Sequence, residues 1–402
     1  MLFATILLYP NGILQGLFIN YIYIFFMFFV ILMTRNKGVF NVNLVGAFFW
    51  SLFLIVFAGN LFSMIHQKDI ELTDYFVTTL RYLSYFILAM LLLLITKKKI
   101  DLQFWIKAFL VCYFFSLILI ILDSFKVSFV EPVFKVVTFE SYNTLDIYFR
   151  AYGAYLSPIS AGIFIMNVLV VLLTYLFFNE KKESRWNVFY IVLIITASIV
   201  CLIMTASRTA ILGFLVLLLL LVWESKRKWS ILFFGVLVGA VIYQSGLIDV
   251  YIENIIMRNE KESATSTNIL EGSGRLDTLK NSIRLFFDYR FFLTGVGPSE
   301  YNKGDGVYSL AHNGFASVLF CYGVVGFIVF YRFIKKMYLV SIKQNSYVKN
   351  VFRIFMIVNL VTFLSSDGPV THFWLVSFVV FVSYIYLISN EEKQVNQNFT
   401  TK

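Results

Sequence analysis

Charge is scarce in this chain: Asp, Glu, Lys and Arg make up 14% of 402 residues, while 59% are hydrophobic and the mean hydropathy is +0.80. So little charge excludes a water-soluble globule, because no packing of 402 residues hides that much apolar surface. Cysteine is nearly absent. Cys112, Cys201 and Cys321 each fall inside an apolar run, where a free thiol behaves as a small hydrophobe. They build neither a disulfide framework nor a metal-ligand spacing. No stretch alternates apolar and polar residues in ten-residue segments, which excludes a lipid-spanning barrel. The chain has no internal repeat and no matched pair of interrupted helices, which argues against a secondary transporter. No basic stretch followed by a small-residue cleavage site stands at the start, so the first apolar run is expected to be an anchor and not a removed signal peptide.

What the chain does have is apolar runs long enough to cross a bilayer as helices, at about 20 residues per crossing. Eleven are expected: Ile13 to Met33, Phe40 to Ile65, Tyr75 to Ile95, Phe104 to Leu122, Ala151 to Phe178, Trp186 to Met204, Thr209 to Trp223, Ile231 to Ile248, Ala311 to Phe333, Val351 to Ser365 and Val370 to Ile388. The expected fold is therefore all-α, a polytopic integral membrane protein forming one transmembrane helical domain over residues 1–402. The segment before Pro10 is too short for a crossing of its own and reads as a short interfacial piece with the amino terminus outside.

Basic residues concentrate in alternate connections, among them Lys97, Lys98, Lys99, Lys181, Lys182, Lys226, Arg227, Lys228, Lys335 and Lys336. Basic residues near helix ends stay cytoplasmic, which assigns the other connections to the outside: Gln67 to Asp74, Asp123 to Arg150, Thr205 to Arg208, Asp249 to Leu310 and Ser366 to Thr371. The net charge of +10 is thus a topology signal and not a sign of nucleic-acid binding.

One polar insertion, residues 249–310, interrupts the apolar pattern and is expected to be a large extracytoplasmic loop. Within it, near residues 275–292, Leu276, Leu279, Ile283, Phe286 and Phe287 recur at helical spacing, with Arg275, Lys280, Arg284 and Asp288 elsewhere on the wheel. This pattern predicts an amphipathic helix lying in the membrane interface. Residues 259–274, rich in Ser, Thr, Glu and Gly, read as either a lid or a plain linker.

Charge at membrane depth costs about 2.5 to 3.5 kcal/mol on insertion scales, so Arg and His at helix mouths are candidates for function. On the expected outer face these are Arg150, Arg208, Arg275, Arg284 and His312. Guanidinium forks suit phosphate oxygens bidentately, and several around one cavity would stabilise a departing diphosphate. Arg150 and Arg208 equally suit snorkelling to headgroups, Arg284 a solvated loop position, and His312 a structural hydrogen bond at a helix end.

Four motifs in order then point to a family. His312-Asn313, followed after nine residues by Gly323-Val324-Val325-Gly326, resembles the signature of the O-antigen ligase and O-antigen or capsule polymerase superfamily, in which a His and an amide or Ser open a helix ending in two glycines. Arg150-Ala151-Tyr152-Gly153 with Pro158 is similar to its helix-opening Arg motif, although the glycine spacing departs from the polymerase pattern. Ser207-Arg208-Thr209-Ala210 resembles its Ser-Arg-Thr turn. Gly274-Arg275 through Gly295-Val296-Gly297-Pro298 resembles its large periplasmic loop, with Arg284 ten intervening residues before Gly295. The likeness covers residues 150 to about 330; the rest agrees only in hydropathy.

The resemblance implies a glycosyltransferase of the bacterial cytoplasmic membrane that is independent of metal and cofactor and acts on the extracytoplasmic side. Its donor and acceptor would be undecaprenyl-diphosphate-linked oligosaccharides held among membrane lipid, and a chain-length regulator and a flippase would be partners. As a polymerase it would transfer the nascent glycan to a hydroxyl of another lipid-linked repeat unit, inverting the anomeric carbon by one displacement. Arg150, Arg208, Arg275 and Arg284 would hold the diphosphate. His312 would act either as base on the acceptor hydroxyl or as a cation on the diphosphate, and Gly295, Gly297 and Asn313 would support the loop. Glu300, Asp277 and Asp305 are the runner-up bases. A ligase acting on lipid A core or protein, and a lipid-linked glycan flippase, remain the alternatives.

Overall fold

The computed structural model describes residues 44–66, 72–96, 102–125, 151, 158–178, 185–225, 228–244, 246, 283, 292–295, 297, 313–342, 346–364, 366 and 381. Among them there is no strand, and nine helices follow one another: α1 Leu44–His66, α2 Leu72–Thr96, α3 Leu102–Ser124, α4 Pro158–Phe178, α5 Arg185–Met204, α6 Arg208–Glu224, α7 Lys228–Gln244, α8 Gly314–Ile342 and α9 Ser346–Phe363. The first and last expected crossings, the amino-terminal interfacial piece and the interfacial helix near 275–292 lie outside the described residues, apart from the single positions Ile283 and Phe381, both helical. Among the described residues, two helices hold stretches long and apolar enough to span a membrane, Ala161–Phe178 and Gly314–Leu339.

The helices occur where the apolar runs predict them, and their ends follow local chemistry. α4 begins at Pro158 and not at Ala151, since proline fixes φ and suits the first helical turn. α7 starts at Lys228 and ends at Gln244, with Gly246 at positive φ beyond it. The largest difference is α8, which runs on to Ile342 and is broken at Gly323.

α4 is apolar on every side and is buried continuously from Ala161 to Tyr175, as a helix at the centre of a bundle must be. It packs against α5, α6 and α9. Around it, α1 bridges α2 and α8, α8 meets α9, α9 and α7 lie on α6, and α3 lies on α5. Close contacts fix the directions. Gly213 of α6 faces Thr362 of α9, while the other ends of the same two helices are joined by an ion pair between Glu224 and Arg353. α6 and α9 are therefore antiparallel. Phe48 stacks on Phe333 at 3.9 Å while Gly326 faces Ile55, so α1 and α8 are antiparallel as well.

Several polar side chains inside the bundle are paired across helices, as an apolar surround favours. Asn359 donates to Asn167 at 3.0 Å, Tyr113 to Ser198 at 2.9 Å, and the hydroxyls of Tyr82 and Tyr322 lie 2.6 Å apart. The outward face is apolar: Leu219, Phe233 and Val236 are about 70% exposed. Trp223 and Trp229 flank the basic stretch Lys226-Arg227-Lys228 and are still more exposed, the placement expected of an aromatic belt at a membrane boundary.

Candidate functional site

The antiparallel pairs put five chain ends at one end of the bundle. The start of α6 meets the start of α4, where a methyl group on Gly162 would stand 2.7 Å from Cβ of Ser207 and 2.9 Å from Cβ of Ala210. The end of α5 is there too, because Ala151 donates its backbone N–H to the Met204 carbonyl at 3.1 Å. The end of α9 meets the start of α8 through an edge-to-face contact of Phe363 with Phe315 at 6.0 Å. The Glu224–Arg353 pair marks the opposite end.

At this end the link between α5 and α6 is a tight turn. Thr205, Ala206 and Ser207 are buried, and Ala206 adopts φ +47, a conformation uncommon for a residue with a side chain. The turn presents Arg208, exposed, as the first residue of α6. Ser207 occupies the cap position but its hydroxyl makes no side-chain capping bond, and Ser207 Oγ, on a residue 1% exposed, has no hydrogen-bond partner among the described residues. The start of a helix carries the positive end of its dipole, about half an elementary charge, and here it coincides with a guanidinium and a buried hydroxyl.

Asn313 opens α8. Its Oδ1 accepts from the N–H groups of Phe315 at 3.1 Å and Ala316 at 3.2 Å, and its carbonyl accepts from the Ser317 N–H and hydroxyl, each at 2.8 Å. The amide expected to support the loop is thus a helix cap, and it fixes the chain directly after His312.

Below the cap, about 14 Å down the axis at ~1.5 Å per residue, α8 breaks at Gly323 with φ 63 and ψ −171, a backbone region open essentially to glycine alone. The end of the long insertion is seated in the break. Val324 donates to the Phe292 carbonyl at 3.0 Å, Val325 to that of Leu293 at 3.2 Å, and Gly297 donates to the Cys321 carbonyl at 3.1 Å. The break would otherwise leave these groups unpaired, and irregular backbone is tolerated at such depth only when other protein satisfies it. Gly295 and Gly297 have φ +72 and +82. A methyl group on Gly295 would stand 2.5 Å from the Cys321 carbonyl, and one on Gly297 2.7 Å from Oδ1 of Asn60 in α1. Gly59 makes room on the same side, 3.3 Å from the Thr294 carbonyl by the same measure. The two glycine motifs, nearly 30 residues apart in sequence, are one junction. Of the two motif glycines in α8, Gly323 interrupts the helix and neither ends it.

Arg150, Arg275, Arg284 and His312 lie outside the described residues, as do Glu300, Asp277 and Asp305. Their neighbours are placed: Ala151 beside the end of α5, and Asn313 at the head of α8. Gly59 and Asn60 were not singled out by sequence reasoning. The only available signal was an amide within the apolar run Phe40 to Ile65. No group of three His, Cys, Asp or Glu side chains able to hold a metal occurs among the described residues.

No curated protein matches the chain at a significant level. A family model does: residues 191–331, about a third of the chain, match the model described as O-Antigen ligase. The match runs from α5 through the Ser207-Arg208 turn to the first half of α8 and leaves out Arg150, where the motif spacing departs from the polymerase pattern. That family implies a glycosyltransferase-like membrane enzyme acting on lipid-linked glycans. The likeness to the O-antigen ligase and polymerase superfamily read from the four motifs is borne out, and residues 191–331 are the part of the chain that carries it.

Proposed function

We propose that the chain is a polysaccharide polymerase working at the outer face of the bacterial cytoplasmic membrane. It transfers an undecaprenyl-diphosphate-linked glycan to a hydroxyl of another lipid-linked repeat unit. The acceptor oxygen attacks the anomeric carbon, the bond from that carbon to the phosphate oxygen breaks, and the lipid diphosphate leaves, with inversion. Arg208, with Arg150, Arg275 and Arg284, grips the diphosphate and offsets the charge it gains on leaving. His312 takes the acceptor proton or contacts the diphosphate.

The observation that carries this reading is the gathering, at one end of the bundle, of the Arg208 turn, the chain beside Arg150, and the cap beside His312. The dipole of α6 and the buried Ser207 hydroxyl at its mouth favour an anion there. A second reading, transfer of finished glycan to lipid A core or protein, is favoured by the description of the matched family as O-Antigen ligase.

The test is expression of Arg208→Ala, Arg284→Ala and His312→Ala in a host deleted for the gene, with glycan length read on gels. Each is expected to collapse the ladder to single repeat units. Long-chain product from all three at normal protein levels would overturn the site. Deletion that leaves full-length glycan unattached to its final acceptor would replace polymerase with ligase.

A further inference from the structure

Asn60 is the one amide in α1, a mainly apolar helix, and it is 2% exposed. Its Nδ2 donates to Thr79 Oγ1 at 2.8 Å and to the Tyr75 carbonyl at 3.4 Å, both on α2. A carbonyl only accepts, so these partners fix which way the amide faces. Oδ1 therefore points away from α2, toward Gly297, and accepts no hydrogen bond among the described residues. The space a Gly297 side chain would need is filled by this oxygen, 2.7 Å away, while the N–H of Gly297 is held from the other side by the Cys321 carbonyl. The glycine is thus clamped between α1 and α8.

We propose that Asn60 is a positioning residue for glycan transfer: anchored to α2, it sets how deeply Gly297 seats in the break of α8. The proposal rests on the transfer reading given above. It follows from where the clamp lies in the chain. The stretch between Gly297 and Asn313 is fixed at both ends, by the clamp and by the helix cap, and it carries Glu300, Asp305 and His312. Moving the seat moves the anchor of the segment that delivers His312.

The experiment uses the full chain in membranes, with Thr294→Cys as reporter beside the seated segment and a membrane-impermeant maleimide as probe. Cys201 and Cys321 are fully buried, and the chain without the reporter gives the background. Asn60→Leu removes the clamp; Thr79→Val, a milder change, frees the amide to turn and guards against misfolding of the first variant. Both are expected to raise the labelling rate about two- to tenfold, the range that losing an ordinary hydrogen bond produces in an equilibrium, and to shorten the glycan ladder. Gly297→Ala is expected to abolish long glycan, because its φ of +82 disfavours any side chain and its methyl group would meet Asn60 Oδ1. A merely structural Asn60 would lower the amount of inserted protein without changing the labelling of what remains. Unchanged labelling in both Asn60→Leu and Thr79→Val would overturn the proposal. The labelling arm needs no glycan, so normal ladders from Arg208→Ala, Arg284→Ala and His312→Ala alike would remove the transfer reading while the seating of the loop is still decided.

Discussion

Gly295 and Gly323 lie so close that neither tolerates a side chain: a methyl group on Gly295 would stand 2.6 Å from the backbone nitrogen of Gly323, and one on Gly323 would stand 2.6 Å from that of Gly295. Each is in a left-handed conformation, so sterics and backbone geometry ask for glycine independently at both positions. The contact joins a polar insertion to a helix otherwise fit to cross a membrane.

Gly323→Ala is expected to expel the seated segment. Its methyl group would lie 2.2 Å from the Leu293 carbonyl oxygen, and alanine favours the continuous helix that glycine interrupts. Two bonds from Val324 and Val325 to the segment would be lost together. The expected outcome is protease sensitivity near residues 292–297 and loss of long glycan, with the protein still inserted. Limited proteolysis of membranes checks it, and an unaltered cleavage pattern would contradict the account of the break.

Asn313→Ala removes an oxygen that accepts from two N–H groups at the head of α8. Loss of such a cap costs about 1 kcal/mol, and Asn313→Asp or Asn313→Ser should retain most of it. Thermal unfolding in detergent should therefore rank the alanine variant below the other two. The order of glycan length among the three variants should follow the same ranking, since the cap anchors the residue after His312.

Ser207→Ala separates stability from activity. The hydroxyl is buried and has no hydrogen-bond partner among the described residues, so deleting it removes an unmet polar group and should leave unfolding temperature unchanged or slightly higher. If the hydroxyl favours the anion at the mouth of α6, glycan length falls at the same time. Normal glycan in a stable variant would take Ser207 out of the site and leave it as a small residue chosen to fit Gly162.

Much of the bundle was legible in the sequence. An apolar run that must cross a bilayer has a length set by the bilayer, and α5 and α6 begin and end within a residue or so of the runs Trp186 to Met204 and Thr209 to Trp223. The Ser207-Arg208 turn was legible for the same reason, as the short gap between two such runs. The break in α8 was not. Hydropathy sees Gly323 as one more small residue in an apolar stretch, and what fills the break comes from a segment read as exterior. Asn60 was missed likewise, because its significance lies in what α2 and the Gly297 turn place around it. Of the proposed charged groups, only Arg208 falls among the described residues, so its companions rest on motif order and on their neighbours Ala151 and Asn313.

The junction in α8 also bears on biosynthesis. Phe292 to Gly297 leave the ribosome before α8, and α1, which supplies Gly59 and Asn60, leaves earlier still. Every group that completes the interrupted hydrogen-bond ladder has therefore been made by the time α8 emerges, and nothing translated after it is needed to finish the joint. A chain truncated just beyond Ile342 should already contain all of its parts, whereas a split of the gene ahead of Phe292 would leave the wedge with α8 and separate both from α1, the other wall that receives it.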